Sequence, residues 1–294
     1  MCCDTRAMKV AVVGAGTLGT AVAVLLEAAG HRVVGISGRE ETRRRASRFL
    51  PGAPFLEPAE AAAAAELVVI ATPDDVIEPT VGALAEAAAV GPGTWVAHLS
   101  GSLGLDVLDP AVGAGARVLA IHPLQTFPDV ASALDRLPGS SIAITAQDDE
   151  GYLLGEQLAE DLRGLPFRLS AELRPLYHAA AVFASNYLVT TSGIAESLFA
   201  AAGVPDPVGA MAPLQRASLE NVERQGSAHA LTGPAVRGDA GTIRRNLDAL
   251  ELHAPELVPA YVAMARATLD LAERSGRLSS GARAAVEGVL DRWS

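Results

Sequence analysis

The chain has 294 residues, and half of them are apolar, which is enough for two packed domains and leaves no compositional case for disorder. Lys and Arg number 23 against 34 Asp and Glu, so a formal net charge of -11 repels nucleic-acid phosphates and anionic membrane surfaces. We therefore expect no nucleic-acid partner and no membrane partner. An anionic ligand would have to be bound by a local cluster of hydrogen-bond donors.

The only cysteines, Cys2 and Cys3, are adjacent and precede the first patterned segment, so they cannot form a disulfide framework. This cysteine usage fits a reducing cytoplasm, and we expect a cytoplasmic protein. The first residues are short and mixed in character, which does not indicate a signal peptide. Met8 is an alternative to Met1 as the natural start.

Up to about residue 170, short β-branched runs alternate with helical stretches rich in Ala, Leu and Glu. This alternation is typical of a parallel sheet that helices cover on both faces. The predicted strands are KVAVVGAG, HRVVGIS, ELVVIAT, TWVAHLS, ARVLAIH, SIAIT and PFRLS. After residue 171 only helical patterns remain, so an α/β domain at 8–170 should precede an all-α domain at 171–294.

A glycine-rich loop follows the first predicted strand and opens the first predicted helix. Its sequence, GAGTLG, fits the G-x-G-x-x-G pattern of dinucleotide-binding Rossmann domains. Such glycines allow a tight turn and a close approach of pyrophosphate, while the helix N-terminus supplies amides and positive potential. We therefore predict a Rossmann-type domain whose cofactor contacts include Gly14, Gly16, Thr17, Leu18 and Gly19.

The end of the second predicted strand indicates which dinucleotide binds. NAD sites usually have an acidic residue there, roughly 20 residues past the glycines, to bind the ribose 2′-hydroxyl. This chain instead has Ser37, Gly38 and Arg39, and Arg43 follows one helical turn later. A hydroxyl and a guanidinium can bind a 2′-phosphate, so we predict NADP(H) as the cofactor, with Ser37, Arg39 and Arg43 as its ligands.

Polar residues also follow the other predicted strands, at the sheet edge where open α/β folds bind ligands. Thr72 and Pro73, in ATPDDVI, should lie along the nicotinamide half of the cofactor, and Asp74 should cap the following helix. In HLSGSLG, Ser100 and Gly101 are candidate substrate contacts, with an ordinary turn as the alternative.

His98 and His122 end two further strands of the α/β domain. They are spaced too loosely for a metal pair, so we predict no metal site. Core histidines with satisfied hydrogen bonds are the simpler interpretation of both.

The stretch YHAAAVFASNY, in the helical domain, places polar residues on an apolar segment. If one helix starts near Glu172, a single face carries His178, Ser185 and Asn186, either against another helix or in the crevice between the domains. A histidine is suited to protonate the alkoxide that forms when a carbonyl is reduced. We therefore predict His178 as the proton donor and Asn186 as the residue that orients the substrate, within a buried helix.

A rigid turn, LTGPAVRGD, separates two later helical patterns. Arg237 and Asp239 in this turn are spaced to form a salt bridge or to present donors to an anionic substrate. We predict Arg237 as a contact of the substrate carboxylate.

Together GAGTLG, HLSG, IHPLQTF, YHAAAVFASNY and LTGPAVRGD resemble bacterial proteins that have a Rossmann-like domain and a helical C-terminal domain of unknown function. Those proteins are similar to ketopantoate reductases, β-hydroxyacid dehydrogenases and pyrroline-5-carboxylate reductases. The resemblance implies an NADP-dependent reductase whose helical domain mediates homodimerisation. It also implies a catalytic lysine where this chain has His178, and asparagines where it has Val182 and Asn186.

The combined expectation is an NADPH-dependent oxidoreductase that reduces a small 2-oxo acid. The resemblance makes 2-dehydropantoate (ketopantoate), reduced to pantoate, the first substrate candidate. Reduction of a cyclic imine and oxidation of a 3-hydroxyacid are alternatives that would use the same cofactor site. A non-catalytic NADP-binding sensor is a further alternative, favoured by the missing lysine.

Overall fold

A computed structural model describes residues 7–293, so the predictions about Cys2, Cys3 and a start at Met1 lie outside the described residues. Seven strands form a single sheet in the order β2-β1-β3-β4-β5-β6-β7. All seven correspond to the predicted β-branched runs. Their bounds are β1 Lys9–Val13, β2 Arg32–Ser37, β3 Leu67–Ile70, β4 Trp95–His98, β5 Arg117–Pro123, β6 Ser141–Ala146 and β7 Leu165–Arg168.

Strand direction differs from the expectation of a wholly parallel sheet. The strands β1 to β5 are parallel, whereas β6 runs antiparallel to β5, and β7 runs parallel to β6. A buried strand has the same apolar pattern in either direction, so composition could not reveal the reversal. The chain passes from one side of β1 to the other between β2 and β3, which makes the carboxyl ends of β1 and β3 the topological switch point.

Helices pack on the sheet, and their buried side chains form two apolar cores with those of the strands. One core includes Val12, Leu26 and Ile121, and the other includes Ile70, Ile77 and Val118. The α-helices between the strands, and α8 after β7, are α1 Thr17–Ala28, α2 Glu40–Phe49, α3 Pro58–Ala63, α4 Asp74–Glu86, α5 Asp109–Gly113, α6 Val130–Arg136, α7 Asp149–Asp161 and α8 Arg174–Ala184.

The described residues fall into two compact units, one ending at Tyr187 and the other starting at Leu188. The second unit is helical, as predicted, and its own core includes Leu247, Leu269 and Val286. The predicted limits of 8–170 and 171–294 stay a prediction about independent folding. The remaining helices are α9 Asn186–Ala201, α10 Pro207–Gln225, α11 Ser227–Ala230, α12 Ala240–His253, α13 Val258–Arg274 and α14 Ser280–Leu290.

The segment expected to form one buried helix from Glu172 is interrupted and exposed. A short 3-10 helix, Ala171–Leu173, precedes α8, and the helix breaks at Ser185 before α9 begins at Asn186. Leu176 and Phe183 are 69% and 68% exposed in this single chain. The prediction of a continuous polar face from His178 to Asn186 is therefore wrong, because that face requires an unbroken helix.

Within residues 7–293, no helix has both the length and the apolar character that crossing a membrane requires. The same residues contain no group of three His, Cys, Asp or Glu side chains arranged to hold a metal ion.

Candidate functional site: a dinucleotide cradle beside a histidine cluster

The glycine loop between β1 and α1 is shaped by close packing. Gly14 has φ +105°, and a Cβ there would lie 2.6 Å from the carbonyl carbon of Ala71. A Cβ at Gly19 would lie 2.9 Å from the side chain of Ala71 and would also collide with the Gly14 carbonyl oxygen. These two glycines are therefore required by the contact between the loop and the end of β3.

Gly16 is different, because no atom lies within 4 Å of the position that its Cβ would occupy. It is the N-cap residue of α1, and no side chain caps this helix end. Thr17 and Leu18 form the first turn, next to this open space. A helix N-terminus whose amides face open space, behind a glycine, fits the pyrophosphate of a dinucleotide.

The end of β2 is hydrogen-bonded to the same loop. The carbonyl oxygen of Ser37 accepts hydrogen bonds from the amides of Gly14, at 2.9 Å, and Ala15, at 2.8 Å. Ser37 is buried, whereas Arg39 is exposed and is the N-cap residue of α2. The structure thus brings Ser37 next to the predicted pyrophosphate loop, with Arg39 two residues further along the chain.

Arg43 makes its own contacts on α2. Its guanidinium lies 5.5 Å from the centre of the Phe55 ring and 3.8 Å from the Glu40 carboxylate. Binding a 2′-phosphate would compete with these exposed contacts, each of which contributes little free energy. The predicted role of Arg43 stays a prediction.

Thr72 and Pro73 follow β3 at the switch point, as the sequence predicts. The Thr72 hydroxyl oxygen is buried and has no hydrogen-bond partner among the described residues. Burying a hydroxyl without a partner costs about 1 to 3 kcal/mol, so this oxygen is a candidate ligand contact. Together with the open space at Gly16, it shows that the residues present fit a dinucleotide.

Asp74 does not cap α4, so the prediction of an N-cap there is wrong. Pro73 is the N-cap residue, and Asp74 is the first residue of the helix. The Asp74 carboxylate accepts hydrogen bonds from the hydroxyls of Ser100, at 2.7 Å, and Ser102, at 2.8 Å. These serines come from the loop after β4, and their competition for the carboxylate could not be read from the local sequence around Asp74.

The loop after β4 is held by the Ser100 hydroxyl. Besides donating to Asp74, this hydroxyl accepts hydrogen bonds from the amides of Ser102 and Leu103, each at 3.2 Å. Ser100 is 6% exposed. Its side chain therefore has partners within the protein, and its predicted contact with a substrate stays a prediction.

His98 is a core histidine with satisfied hydrogen bonds, which confirms that interpretation. Its Nδ1 accepts from the Ser100 amide at 3.1 Å, so its Nε2 carries the proton and donates to the Gly104 carbonyl at 2.9 Å. Burial, followed by the charge of Arg174, lowers the pKa of His98 to about 4. At neutral pH it is a neutral structural residue.

Arg174 is a functional candidate that the sequence reasoning missed. It is the first residue of α8 and is 0% exposed. Its guanidinium donates to the hydroxyl of Thr145 at 2.9 Å and to the carbonyl oxygen of Ser100, while its buried Nε has no partner in the described chain. Burial lowers the pKa of Arg174 to about 10, so it remains charged at neutral pH. An arginine before a proline was the only sequence signal.

A cluster of two histidines and a tyrosine surrounds Gly101. The Tyr177 hydroxyl lies 2.9 Å from Nδ1 of His122. A Cβ on Gly101 would lie 2.7 Å from Nε2 of His122 and 2.8 Å from Nδ1 of His178. The Nδ1 atom of His178 is buried without a described partner. The structure therefore brings the predicted residues Gly101 and His178 together and adds His122 and Tyr177.

His122 departs from the interpretation as an ordinary core histidine, because it is only partly buried and its Nε2 faces Gly101. Burial, then the charges of Arg174 and His178, lowers the pKa of His122 to about 4. Burial also raises the pKa of Tyr177 to about 12. Both side chains are neutral at physiological pH.

The two other predicted site residues, Asn186 and Arg237, belong to other elements of the chain. Asn186 begins α9 after the break at Ser185, and Arg237 lies in the second unit. Asp239 does not form a salt bridge with Arg237 in the described structure. It caps α12 by accepting from the Thr242 amide at 3.0 Å and hydroxyl at 2.7 Å. The roles of Asn186 and Arg237 toward a substrate stay predictions.

Two family models match the chain. A Rossmann-like domain matches residues 3–123, and a domain of unknown function, DUF2520, matches residues 140–268. The chain is a Rossmann-like NAD(P)-binding domain followed by a helical DUF2520 domain. The DUF2520 match includes β6, β7 and α8, so it covers His178 of the cluster as well as Arg174 and its partner Thr145.

One curated protein matches part of the chain. The Rossmann–DUF2520 chain is 28% identical, over 206 residues, to a Rhizobium etli protein named glycerol-3-phosphate dehydrogenase [NAD(P)+]. The match covers 64% of this chain and 61% of that protein, which is less than two thirds of its length.

Two solved structures are similar over most of the chain. One is a Bacteroides fragilis protein whose proposed role is that of an NADP oxidoreductase, with 23% identity, a TM-score of 0.76 and coverage of 90% of this chain and 98% of that one. The other is a Thermotoga maritima protein, with 22% identity, a TM-score of 0.69 and the same coverage of the two chains. At this identity, the likeness establishes the fold of the Rossmann–DUF2520 chain.

Replacing the loop glycines one at a time should separate packing from ligand binding. Gly14→Ala should destabilise the first unit by about 2 kcal/mol or more, because of its positive φ and the Ala71 contact. Gly16→Ala should leave stability within about 1 kcal/mol but weaken NADPH binding at least about tenfold, because the methyl group enters the open space. Urea unfolding and NADPH fluorescence titration measure the two effects. Unchanged affinity in Gly16→Ala would contradict the assignment of the cradle.

Acid should begin to destabilise the first unit through its buried histidines, before the carboxylates add their own contribution below about pH 5. His98 and His122 titrate near pH 6.5 when unfolded but at about 4 when folded, so the unfolded state binds more protons in this window. Stability is then complete above pH 6.5 and falls toward pH 4. The loss should be on the order of 2 kcal/mol for His98 and less for the partly exposed His122, since one pKa unit is about 1.4 kcal/mol.

The measurement is urea unfolding monitored by the fluorescence of Trp95. A Trp293→Phe background ensures that the signal reports on the first unit. His122→Gln should reduce the pH dependence, whereas the exposed His229→Gln should leave it unchanged. Equal stability at pH 7 and about pH 4.5 would contradict the assignment of neutral histidines.

Proposed function

We propose that this chain is a cytoplasmic NADPH-dependent reductase of a small 2-oxo acid, with 2-dehydropantoate as the first substrate candidate. The observation that carries the proposal is the buried Nδ1 of His178, which has no partner in the described chain. It lies beside Gly101, after β4, and so on the sheet edge where the dinucleotide cradle also lies. A cofactor and an ionisable side chain at one edge are what carbonyl reduction requires.

The end of β2 supports NADP(H) over NAD(H). It has no carboxylate, which would repel a 2′-phosphate, and it offers Ser37 and Arg39 instead. Hydrogen bonds to charged groups contribute about 1.5 to 3 kcal/mol each. Two such bonds would favour NADPH over NADH by roughly two to four orders of magnitude. The proposed NADP role of the Bacteroides fragilis protein agrees with this preference.

When bound, NADPH supplies a hydride to the carbonyl carbon. The glycine loop and α1 would hold its pyrophosphate, and Thr72 and Pro73 would border its nicotinamide half. His178 then gives a proton to the developing alkoxide and recovers one from water, which balances the conversion of a ketone and one proton to an alcohol. Asn186 is the proposed residue that orients the carbonyl.

An anionic substrate fits the local charge better than the charge of the whole chain. The net charge of -11 repels anions, but Arg174 places a buried positive charge next to the loop after β4. A buried charge is screened less than a surface charge, so its local field favours a carboxylate. A small 2-oxo acid is the substrate class that this arrangement favours.

The proposal is tested by NADPH oxidation at 340 nm with ketopantoate, alongside NADH and an enzyme-free control. NADPH should be preferred at least about 100-fold in kcat/KM. Arg39→Met should reduce this preference at least about tenfold, whereas Arg48→Met, in the last turn of α2, should not.

A panel with other 2-oxo acids, a cyclic imine and a 3-hydroxyacid with NADP+ separates the alternatives. Tight NADPH binding without turnover on any of them would favour a non-catalytic NADP sensor and remove the reductase proposal.

We also propose that the protein is a homodimer. Exposed apolar side chains of α8 and of the short 3-10 helix before it line a groove of about 440 Å³ that includes Leu173, Leu176 and Phe183. Apolar patches of this kind are typical of interfaces, and a second copy is the partner that is always present.

Sedimentation velocity should give a dimer, and Leu176→Glu should convert it to a monomer. A wild-type monomer would contradict the proposal.

A further inference from the structure

His122 and His178 approach the same point from different elements. His122 belongs to β5 and His178 to α8, and their ring centres are 6.3 Å apart. Nε2 of one ring and Nδ1 of the other lie within 2.8 Å of the position that a Cβ on Gly101 would occupy. Both nitrogens therefore lie against Gly101, and a side chain at that position would collide with both rings.

We propose that His122 is a second catalytic residue, whose Nε2–H donates a hydrogen bond to the carbonyl oxygen of the 2-oxo acid beside His178. This inference rests on the proposed reductase function and divides its chemistry between two histidines. His178 supplies the proton, and His122 stabilises the negative charge that develops on the same oxygen.

The proposal assigns to Tyr177 the choice of which nitrogen of His122 carries the proton. The phenol keeps its proton at physiological pH, since burial raises its pKa to about 12. Its oxygen lies 2.9 Å from Nδ1, and in the proposed arrangement the phenol donates this hydrogen bond. Nδ1 is then the acceptor and Nε2 carries the hydrogen, which points to the space beside Gly101. Tyr177 is a positioning residue, because it acts through His122.

A neutral imidazole is suited to this role. Burial and the neighbouring charge of Arg174 disfavour the imidazolium form of His122, so the ring cannot supply the proton itself. A neutral ring still donates a hydrogen bond, and such a donor stabilises an oxyanion without carrying a net charge. The charged and titratable groups that face His122 are Arg174, Tyr177 and His178 on α8, Asp74 at the start of α4, and His98 on β4.

The first test compares two substitutions of His122. His122→Met removes the donor and should lower kcat/KM for the 2-oxo acid about 100-fold, with an unchanged Kd for NADPH. His122→Gln keeps an amide nitrogen near the Nε2 position and should recover at least about tenfold of that loss. His229→Gln, on the exposed surface of α11, is the control. A His122→Met enzyme within about threefold of this control would overturn the proposal.

The second test does not depend on turnover. Long-range 1H–15N spectra distinguish the two neutral tautomers of histidine, and His122 should show a protonated Nε2 from pH 6 to pH 8. Tyr177→Phe should abolish this preference, whereas Tyr152→Phe, on α7, should preserve it. A protonated Nδ1 on His122 in the wild-type protein would overturn the proposal.

The two tests separate this inference from the proposed function. If wild-type protein oxidises no NADPH with any 2-oxo acid, the reductase function fails and the catalytic role of His122 fails with it. The spectra then still decide whether Nε2 of His122 carries the proton. If wild-type turnover is robust and His122→Met retains it, only the inference about His122 fails.

Discussion

The Arg174 guanidinium is a buried positive charge with no carboxylate bonded to it among the residues that the structure describes. Its partners are neutral oxygens, the Thr145 hydroxyl and the Ser100 carbonyl. Burying a charge is costly, and what offsets the cost here is the pair of hydrogen bonds to neutral oxygens and the nearby negative charge of Asp74. One side chain thereby joins α8, β6 and the loop after β4.

The positions of the other cluster residues follow from that anchor. Tyr177 and His178 are three and four residues after Arg174, so all three share one face of α8. Once Arg174 is fixed to the sheet edge, the same face brings the tyrosine to His122 and the second imidazole to Gly101. The charge that anchors the helix also helps to keep His98 and His122 neutral. Placement and ionisation in this cluster therefore have a common origin.

Much of the fold follows from local sequence, and much of the cluster does not. The seven strands are visible as β-branched runs. Gly14 and Gly19 belong to the G-x-G-x-x-G pattern, in which close packing of the loop leaves no room for a Cβ. The break at Ser185 is not visible, because no glycine or proline marks it between Tyr177 and Tyr187. Arg174 and Asp74 depend on oxygens and hydroxyls that lie at least 26 residues away in the chain. Periodicity carries no information about such partners.

The hydrogen bonds between β2 and the glycine loop have a consequence for how coenzyme choice can change. Ser37 holds the amides of Gly14 and Ala15 through its main-chain carbonyl, which every amino acid possesses. The side chains at positions 37 and 39 can therefore be exchanged without dismantling the loop. An engineer, or natural selection, could alter the preferred coenzyme here while Gly14, Gly19 and Ala71 stay untouched. Specificity in this part of the molecule is separable from folding.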